Sequence, residues 1–447
     1  MGPAGPEASS AVNMALVPWK RSNGSAAWAM ATVVNAKADR NIFLMEEKWE
    51  EFVFSIFVFL ISKLALWILI GRESSSPRQR GQPKTTSDFT PTAVSIMNYD
   101  AQRVTHIPTA KTPSMLFNNL TCNGTTVAFA HKTEVVTFSE SSGTRNSAII
   151  QETAFKPRLP VSKVIQVKWC HLSGRDYLVV GTGAGVAVYD NTCTSNLFVM
   201  ELTSQNVPFP DPEASFVRGI TAVPGTNYIC VGSSTGHIFA FQVQEDKIEL
   251  AHTLLPYEDD DGAATSALTG ANQWLVTASD SGSVMIYDTT TNSTSASASS
   301  SSSASTSFQR TARFPGTCPC TSLCIANEYV VGGYTTGQLR LFHLTTGVIF
   351  CEIGAHTRAV TALDAHPDES CFVSTGEDSV LSVWKITAPP PSTETKSTTR
   401  QAPVITVEFT TVLPDSLLTG VVFSRNGTSN LITASYDQKK IQLFMNS

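Results

Sequence analysis

The sequence is poor in charge. Only 15% of its 447 residues are Asp, Glu, Lys or Arg, and 37 acidic residues outnumber 31 basic ones, for a net charge of −6. A chain without a basic excess lacks the electrostatic footprint that holds a phosphate backbone, so nucleic acid is not an expected partner. P-loop and HExxH motifs are absent as well, which removes the usual phosphate cradle and the helical zinc pair. Nine cysteines, an odd number, show no paired C-x-x-C spacing. In "CPCTSLC" the thiols Cys318, Cys320 and Cys324 fall on an expected strand, which speaks against a zinc site. Scattered through apolar runs, the cysteines read as buried free thiols in a reducing compartment, which makes a cytoplasmic location the expectation. No metal and no cofactor is expected. The sequons at Asn119, Asn123, Asn292 and Asn426 arise readily by chance in a Ser/Thr-rich chain and do not imply secretion.

What is present is a β rhythm. In "GAHTRAVTALDAHPDESCFVSTGEDSVLSVWK" the segments Ala359–Leu363 and Leu381–Trp384 alternate, and Cys371–Ser374 is a short β-prone run between them. His-Pro-Asp-Glu and Gly-Glu-Asp-Ser separate these runs as turns, because proline presets φ and Asp side chains bond their own backbone. The stretch is therefore an antiparallel meander. Ser374 lacks the flanking glycines that present a nucleophile on a strained turn.

The same pattern recurs as "AHKTEVVTF", "GTGAGVAVYD", "SSTGHIFAF", "ASDSGSVMIYD", "GYTTGQLRLF", "TGEDSVLSVW" and "ASYDQKKIQLF". The closing aromatics are Phe138, Tyr189, Phe241, Tyr287, Phe342, Trp384 and Phe444, at intervals of 51, 52, 46, 55, 42 and 60 residues. That period is one four-stranded blade plus loops, and seven copies suit a closed ring. The fold class is all-β, a single seven-bladed propeller over 97–447. A strand near Met97–Ile107 is expected to close the ring on the Leu431–Phe444 meander. The Ser/Thr tract Thr289–Ser307 and the Pro/Thr segment Ala388–Pro403 read as disordered loops.

Gly354-Ala355-His356, Ser374, Asp378 and Trp384 resemble the WD40 repeat. The resemblance implies a structural tetrad in which Trp384 donates to Ser374 and His356 bridges Ser374 and Asp378. Only this blade carries the full set, so the other six are expected to rely on apolar burial and turn chemistry. Longer segments, among them "FVRGITAVPGTNYICVGSSTGHIFAF" and "GVVFSRNGTSNLITASYD", are similar in order to the WD repeat-containing protein 54 family. That resemblance implies an interaction scaffold without enzymatic activity.

The first 96 residues are of another kind. They divide into an extension over 1–51, expected to be disordered, an apolar run from Phe52 to Ile70, and a linker over 71–96. The run is long enough to span about 30 Å of hydrocarbon as a transmembrane helix, with Lys63 its one charge. Arg72, Arg78, Arg80 and Lys84 beyond it outweigh Lys48 before it and favour a cytosolic C-terminus. Three readings stand side by side: a membrane anchor, upstream sequence outside the working protein with Met97 as its start, and a soluble helix packed on the propeller.

Two functions follow from different classes. In the first, the ring is a non-catalytic scaffold for protein partners. Lys163, Arg218 and Arg358, each just before an inner-strand pattern, are placed at one equivalent position near the channel mouth, where three cations would receive an acidic or phosphorylated partner. Glu377 is expected on the same face. The alternative is a propeller enzyme with a channel-mouth active site, which requires convergent carboxylates or imidazoles. The positions aligned with the three cations, Ala263 and Cys318, are uncharged.

Overall fold

The computed structural model describes residues 97–141, 149–202, 216–245, 247–257, 263–290, 308–387 and 403–446. The stretch 1–96, with its apolar run, lies outside them, as do 291–307 and 388–402, the greater part of the two expected loops. No helix among the described residues is long and apolar enough to cross a membrane.

The strands form seven four-stranded antiparallel sheets, which makes the molecule the expected seven-bladed propeller. Blade 1 runs through Thr121–Cys122, Thr126–His131, Glu134–Ser141 and Ile149–Phe155; blade 2 through Val164–Leu172, Arg175–Thr182, Gly185–Tyr189 and Asn196–Glu201. Blade 3 comprises Val217–Val223, Tyr228–Ser233, Ile238–Gln244 and Lys247–Leu254, and blade 4 Thr265–Ala271, Trp274–Ser279, Val284–Asp288 and Gln309–Phe314. Blade 5 comprises Cys320–Ala326, Tyr329–Tyr334, Gln338–His343 and Ile349–Gly354, and blade 6 Val360–Ala365, Cys371–Gly376, Val380–Thr387 and Val404–Val412. Blade 7 takes Leu418–Phe423, Leu431–Ser435 and Lys440–Asn446 from the C-terminus and its fourth strand, Tyr99–Pro108, from the other end of the described chain. Val104 faces Phe444 and Ile107 faces Ile441 in that closing pair. Closure in this way leaves no open ring edge whose backbone groups would lack partners.

All seven closing aromatics lie on the third strands and are buried. Apolar side chains on both faces of each third strand pack against the neighbouring blades, and the core is a succession of inter-blade layers rather than one central mass. Hairpins between the second and third strands turn through Gly236, Gly282 and Gly337 at positive φ, where a side chain would strain the backbone. Blade 6 places Ser379 at the same position with φ +64°.

Candidate functional site

His356, Ser374, Asp378 and Trp384 come together in blade 6. The Trp384 indole N–H donates to Ser374 Oγ at 2.9 Å, Ser374 Oγ lies 2.8 Å from His356 Nε2, and His356 Nδ1 lies 3.0 Å from Asp378 Oδ1. One proton assignment satisfies the chain: the Ser374 hydroxyl donates to Nε2, and Nδ1–H donates to the carboxylate. Asp378 also accepts the backbone N–H groups of Thr357 and Val380. Burial would push its carboxyl up, but His356 and those two N–H groups outweigh it and hold it below the usual carboxylate range. Gly376 makes the link sterically feasible, because a Cβ there would stand 2.5 Å from Asp378 Oδ1 and 2.6 Å from His356 Nδ1. Blades 3 and 4 carry Ser233 and Ser279 at this position, where each hydroxyl bonds within its own hairpin, to Thr235 and His237 O in blade 3 and to Ser281 and Ser283 in blade 4. The tetrad is a structural clamp that pins the strands of blade 6 together.

Apolar burial and turn chemistry do not account for every other blade. In blade 4, Tyr257 is buried and its hydroxyl donates to Thr277 Oγ1 at 2.7 Å. Thr277 occupies the register position of Ser374, so a tyrosine from the preceding loop replaces the histidine link. Sequence reading missed it because Tyr257 stands far from the expected His position, beside residues of no clear pattern.

The equivalence of Lys163, Arg218 and Arg358 does not hold. The outermost pair of each inner strand with its neighbour is Val164 with Thr182, Val217 with Ser233 and Val360 with Gly376. Lys163 therefore sits one residue before the common reference, Arg218 one after, and Arg358 two before. A bulge of one residue follows this pair in blades 2 to 7, so the offsets persist on either side of it. Lys163 and Arg358 are exposed. Arg218 turns inward, ion-paired with Asp280, with its guanidinium over the Phe216 ring.

Arg218 and Glu377 both line a cavity of about 360 Å³ where the inner strands begin, which is termed here the entry mouth of the channel; Lys163 and Arg358 do not line it. Its wall is mostly apolar, with Leu116, Phe117, Ile165, Phe216 and Leu417. Glu377 and Asp280 hold the same hairpin position in blades 6 and 4. Asp280 finds Arg218 on the preceding blade, whereas the position corresponding to Arg218 next to Glu377 is Thr321, whose hydroxyl donates to backbone carbonyls. Among the described residues the Glu377 carboxylate has no cation.

The floor of this cavity is a plug that sequence reading did not foresee. The segment before blade 1 carries Asn118, whose backbone N–H donates to Thr361 O and whose side-chain amide donates to Thr321 O, while Ser322 Oγ donates to Asn118 Oδ1. These partners belong to blades 6 and 5, across the ring axis from blade 1. Asn119 N–H reaches Thr419 O of blade 7. Below Asn118 the channel narrows to about 20 Å³, with Gln166 and Lys168 among leucines and valines in its wall, then widens to about 550 Å³ at the exit mouth, where the inner strands end.

Among the described residues no three or more His, Cys, Asp or Glu gather as metal ligands. All nine cysteines are free. Burial pushes the Cys170 and Cys320 thiols up to about 12, away from thiolate reactivity. Gly232–Gly236 does spell G-x-S-x-G, but Ser234 lies on a strand-to-strand hairpin and its hydroxyl accepts the Phe216 N–H, so it is not presented as a nucleophile.

The sequence profile of the WDR54 family matches residues 153–446. The chain is 29% identical over 238 residues to WD repeat-containing protein 54 of Mus musculus, a match covering 51% of this chain and 65% of that protein. It is 27% identical over 292 residues to WD repeat-containing protein 54 of Homo sapiens, covering 63% of this chain and 78% of that protein. Among solved structures, a chain of a mitotic checkpoint complex matches with a TM-score of 0.56 at 18% identity, over 84% of this chain and 99% of that one. The WD40 repeats of RRP9 match with a TM-score of 0.55 at 14% identity, over 79% and 100%. At such identities the structural likeness concerns the fold alone.

Proposed function

We propose, since the chain belongs to the WDR54 family, that it acts as a non-catalytic protein-interaction scaffold whose entry mouth takes an apolar side chain of a partner with a Lys or Arg beside it. The observation that carries this reading is the entry cavity itself, with an apolar wall and two charged groups, Arg218 already paired and Glu377 not. Such a wall suits burial of a Leu, Met or Phe anchor, at about 25 cal/mol per Å² of apolar area. The unpaired carboxylate supplies the polarity, which favours a cation over the acidic or phosphorylated group expected from three basic residues. A channel-mouth enzyme has less support, because the charged groups in the wall are one neutralised guanidinium and one carboxylate rather than a convergent acid–base set.

Selection of a random peptide library on the wild type, Leu417→Asp and Glu377→Gln tests this. The expected result is enrichment of peptides pairing an apolar residue with Lys or Arg, loss of that enrichment in Leu417→Asp, and loss of the basic preference alone in Glu377→Gln. Enrichment of acidic peptides, or identical sequences from all three proteins, overturns it. A cytoplasmic location is proposed with it, supported by the nine free thiols. Fractionation of cells expressing the full chain and a chain starting at Met97 decides whether Phe52–Ile70 anchors it.

A further inference from the structure

The narrow section beneath the Asn118 plug holds a cavity of about 20 Å³. Three of its lining residues are polar, Asn118, Gln166 and Lys168, and the rest of the wall is apolar, with Leu120, Leu323, Leu363 and Val421. Gln166 and Lys168 stand two residues apart on the inner strand of blade 2. The pleat therefore turns both side chains to the channel, about 6.6 Å apart at Cα.

The side-chain groups with bonding capacity left are all donors. Gln166 Oε1 accepts the Gly219 N–H at 2.7 Å, which fixes the orientation of the amide and leaves Nε2 as its free end. Nε2 has no partner among the described residues and, with Gln166 only 8% exposed, has only the channel to face. Asn118 Oδ1 is likewise committed, to Ser322 Oγ, while Nδ2 spends one N–H on Thr321 O and keeps the other. The Lys168 ammonium, on a partly buried residue, has no acceptor among the described residues. The carboxylates of the wider exit cavity are occupied, Asp364 by the Phe423 N–H and Arg425, Asp176 by Asn123 and His171.

A water molecule in this cavity would accept from the amides but leave the ammonium unbalanced, whereas an anion meets donors and charge together. The volume admits one particle about the size of a water molecule, which excludes phosphate, sulfate and carboxylate groups. We propose that the narrow section is a halide site, holding one chloride ion between the Gln166 amide and the Lys168 ammonium beneath Asn118. The apolar remainder of the wall lowers the local dielectric and strengthens the attraction. The site lies below the plug and does not rest on the partner proposed for the entry mouth.

Chloride NMR linewidths measured on the full chain read the site, because bound chloride relaxes faster than the free ion with which it exchanges. At constant ionic strength the linewidth should show a saturable excess that bromide displaces and that acetate and phosphate, too large for the cavity, do not. Gln166→Glu keeps the acceptor for the Gly219 N–H but turns the channel donor into a carboxylate beside Lys168. It should weaken chloride binding at least about tenfold, the scale of one charge-assisted hydrogen bond. Lys168→Met breaks no bond within the described residues and should do the same, which keeps the test decisive where Gln166→Glu fails to fold. Lys163→Met, at an exposed lysine that does not line the cavity, should leave the excess unchanged. An excess that is absent, that does not saturate, that acetate or phosphate displaces as well as bromide, or that persists in Lys168→Met overturns the proposal and leaves water as the occupant.

Discussion

Ser322 Oγ donates to Asn118 Oδ1 at 2.6 Å although Ser322 lies on blade 5 and Asn118 in the segment before blade 1, 204 positions apart in sequence. The bond crosses the channel and, with the Asn118 amide on Thr321 O, ties the segment before blade 1 to blade 5. Asn118 holds φ +54° to do so, a conformation that asparagine tolerates better than other side chains. Asn118→Ala should therefore destabilise the propeller by about 2–4 kcal/mol, from two lost side-chain hydrogen bonds, a stranded Ser322 hydroxyl and backbone strain. Asn118→Gly should recover about 1 kcal/mol of that by relieving the strain alone. Urea midpoints at unchanged m-value check the order wild type, Gly, Ala.

Trp384→Phe keeps the ring stacked on Phe372 but removes the donor to Ser374. A loss of about 1–3 kcal/mol is expected. Equal unfolding midpoints for the two proteins would mean that the indole bond contributes nothing net.

Gly376→Ala should act through the same clamp, because the new methyl meets Asp378 and His356. The substitution is expected to cost about 2–3 kcal/mol, and to cost at least about 1 kcal/mol less when His356 is already Ala, since the link it breaks is then gone. A double-mutant cycle on chemical denaturation gives that coupling; additive effects would place the damage elsewhere.

The Asp378 carboxyl is held low in the fold, so the unfolded chain takes up its proton first as pH falls. Its contribution is present above the ordinary carboxylate value of about 4 and is lost as pH falls through the lower folded value. Stability measured from pH 6 to pH 3 should fall more steeply below about pH 4 in the wild type than in Asp378→Asn. Parallel curves would show that the carboxylate has no net role.

In blade 4, Tyr257→Phe strands the fully buried Thr277 hydroxyl and should cost about 1–2 kcal/mol. The pair Tyr257→Phe with Thr277→Val removes both polar groups and should restore most of it. If the double variant is less stable than the single one, the hydroxyls serve packing rather than each other.

Blade number, the closing aromatics and the His356–Trp384 clamp could be read from the sequence because each rests on residues close in the chain and on a period of two within strands, and ring closure because seven repeats leave the last blade one strand short. The alternation of "LSVW" places Trp384 on the same face as Ser382, and the turn residues fix where the hairpins fall. The mouths could not be read in this way. Whether Arg218 meets Asp280 or stands beside Lys163 and Arg358 depends on the register of each inner strand, which only the inter-strand pairs fix. That Glu377 is unpaired depends on Thr321 of the preceding blade, and that the channel is plugged depends on Asn118 reaching blades that are distant in sequence. Local periodicity determined the blades, whereas contacts between inner strands far apart in the chain decided the charge and depth of both mouths.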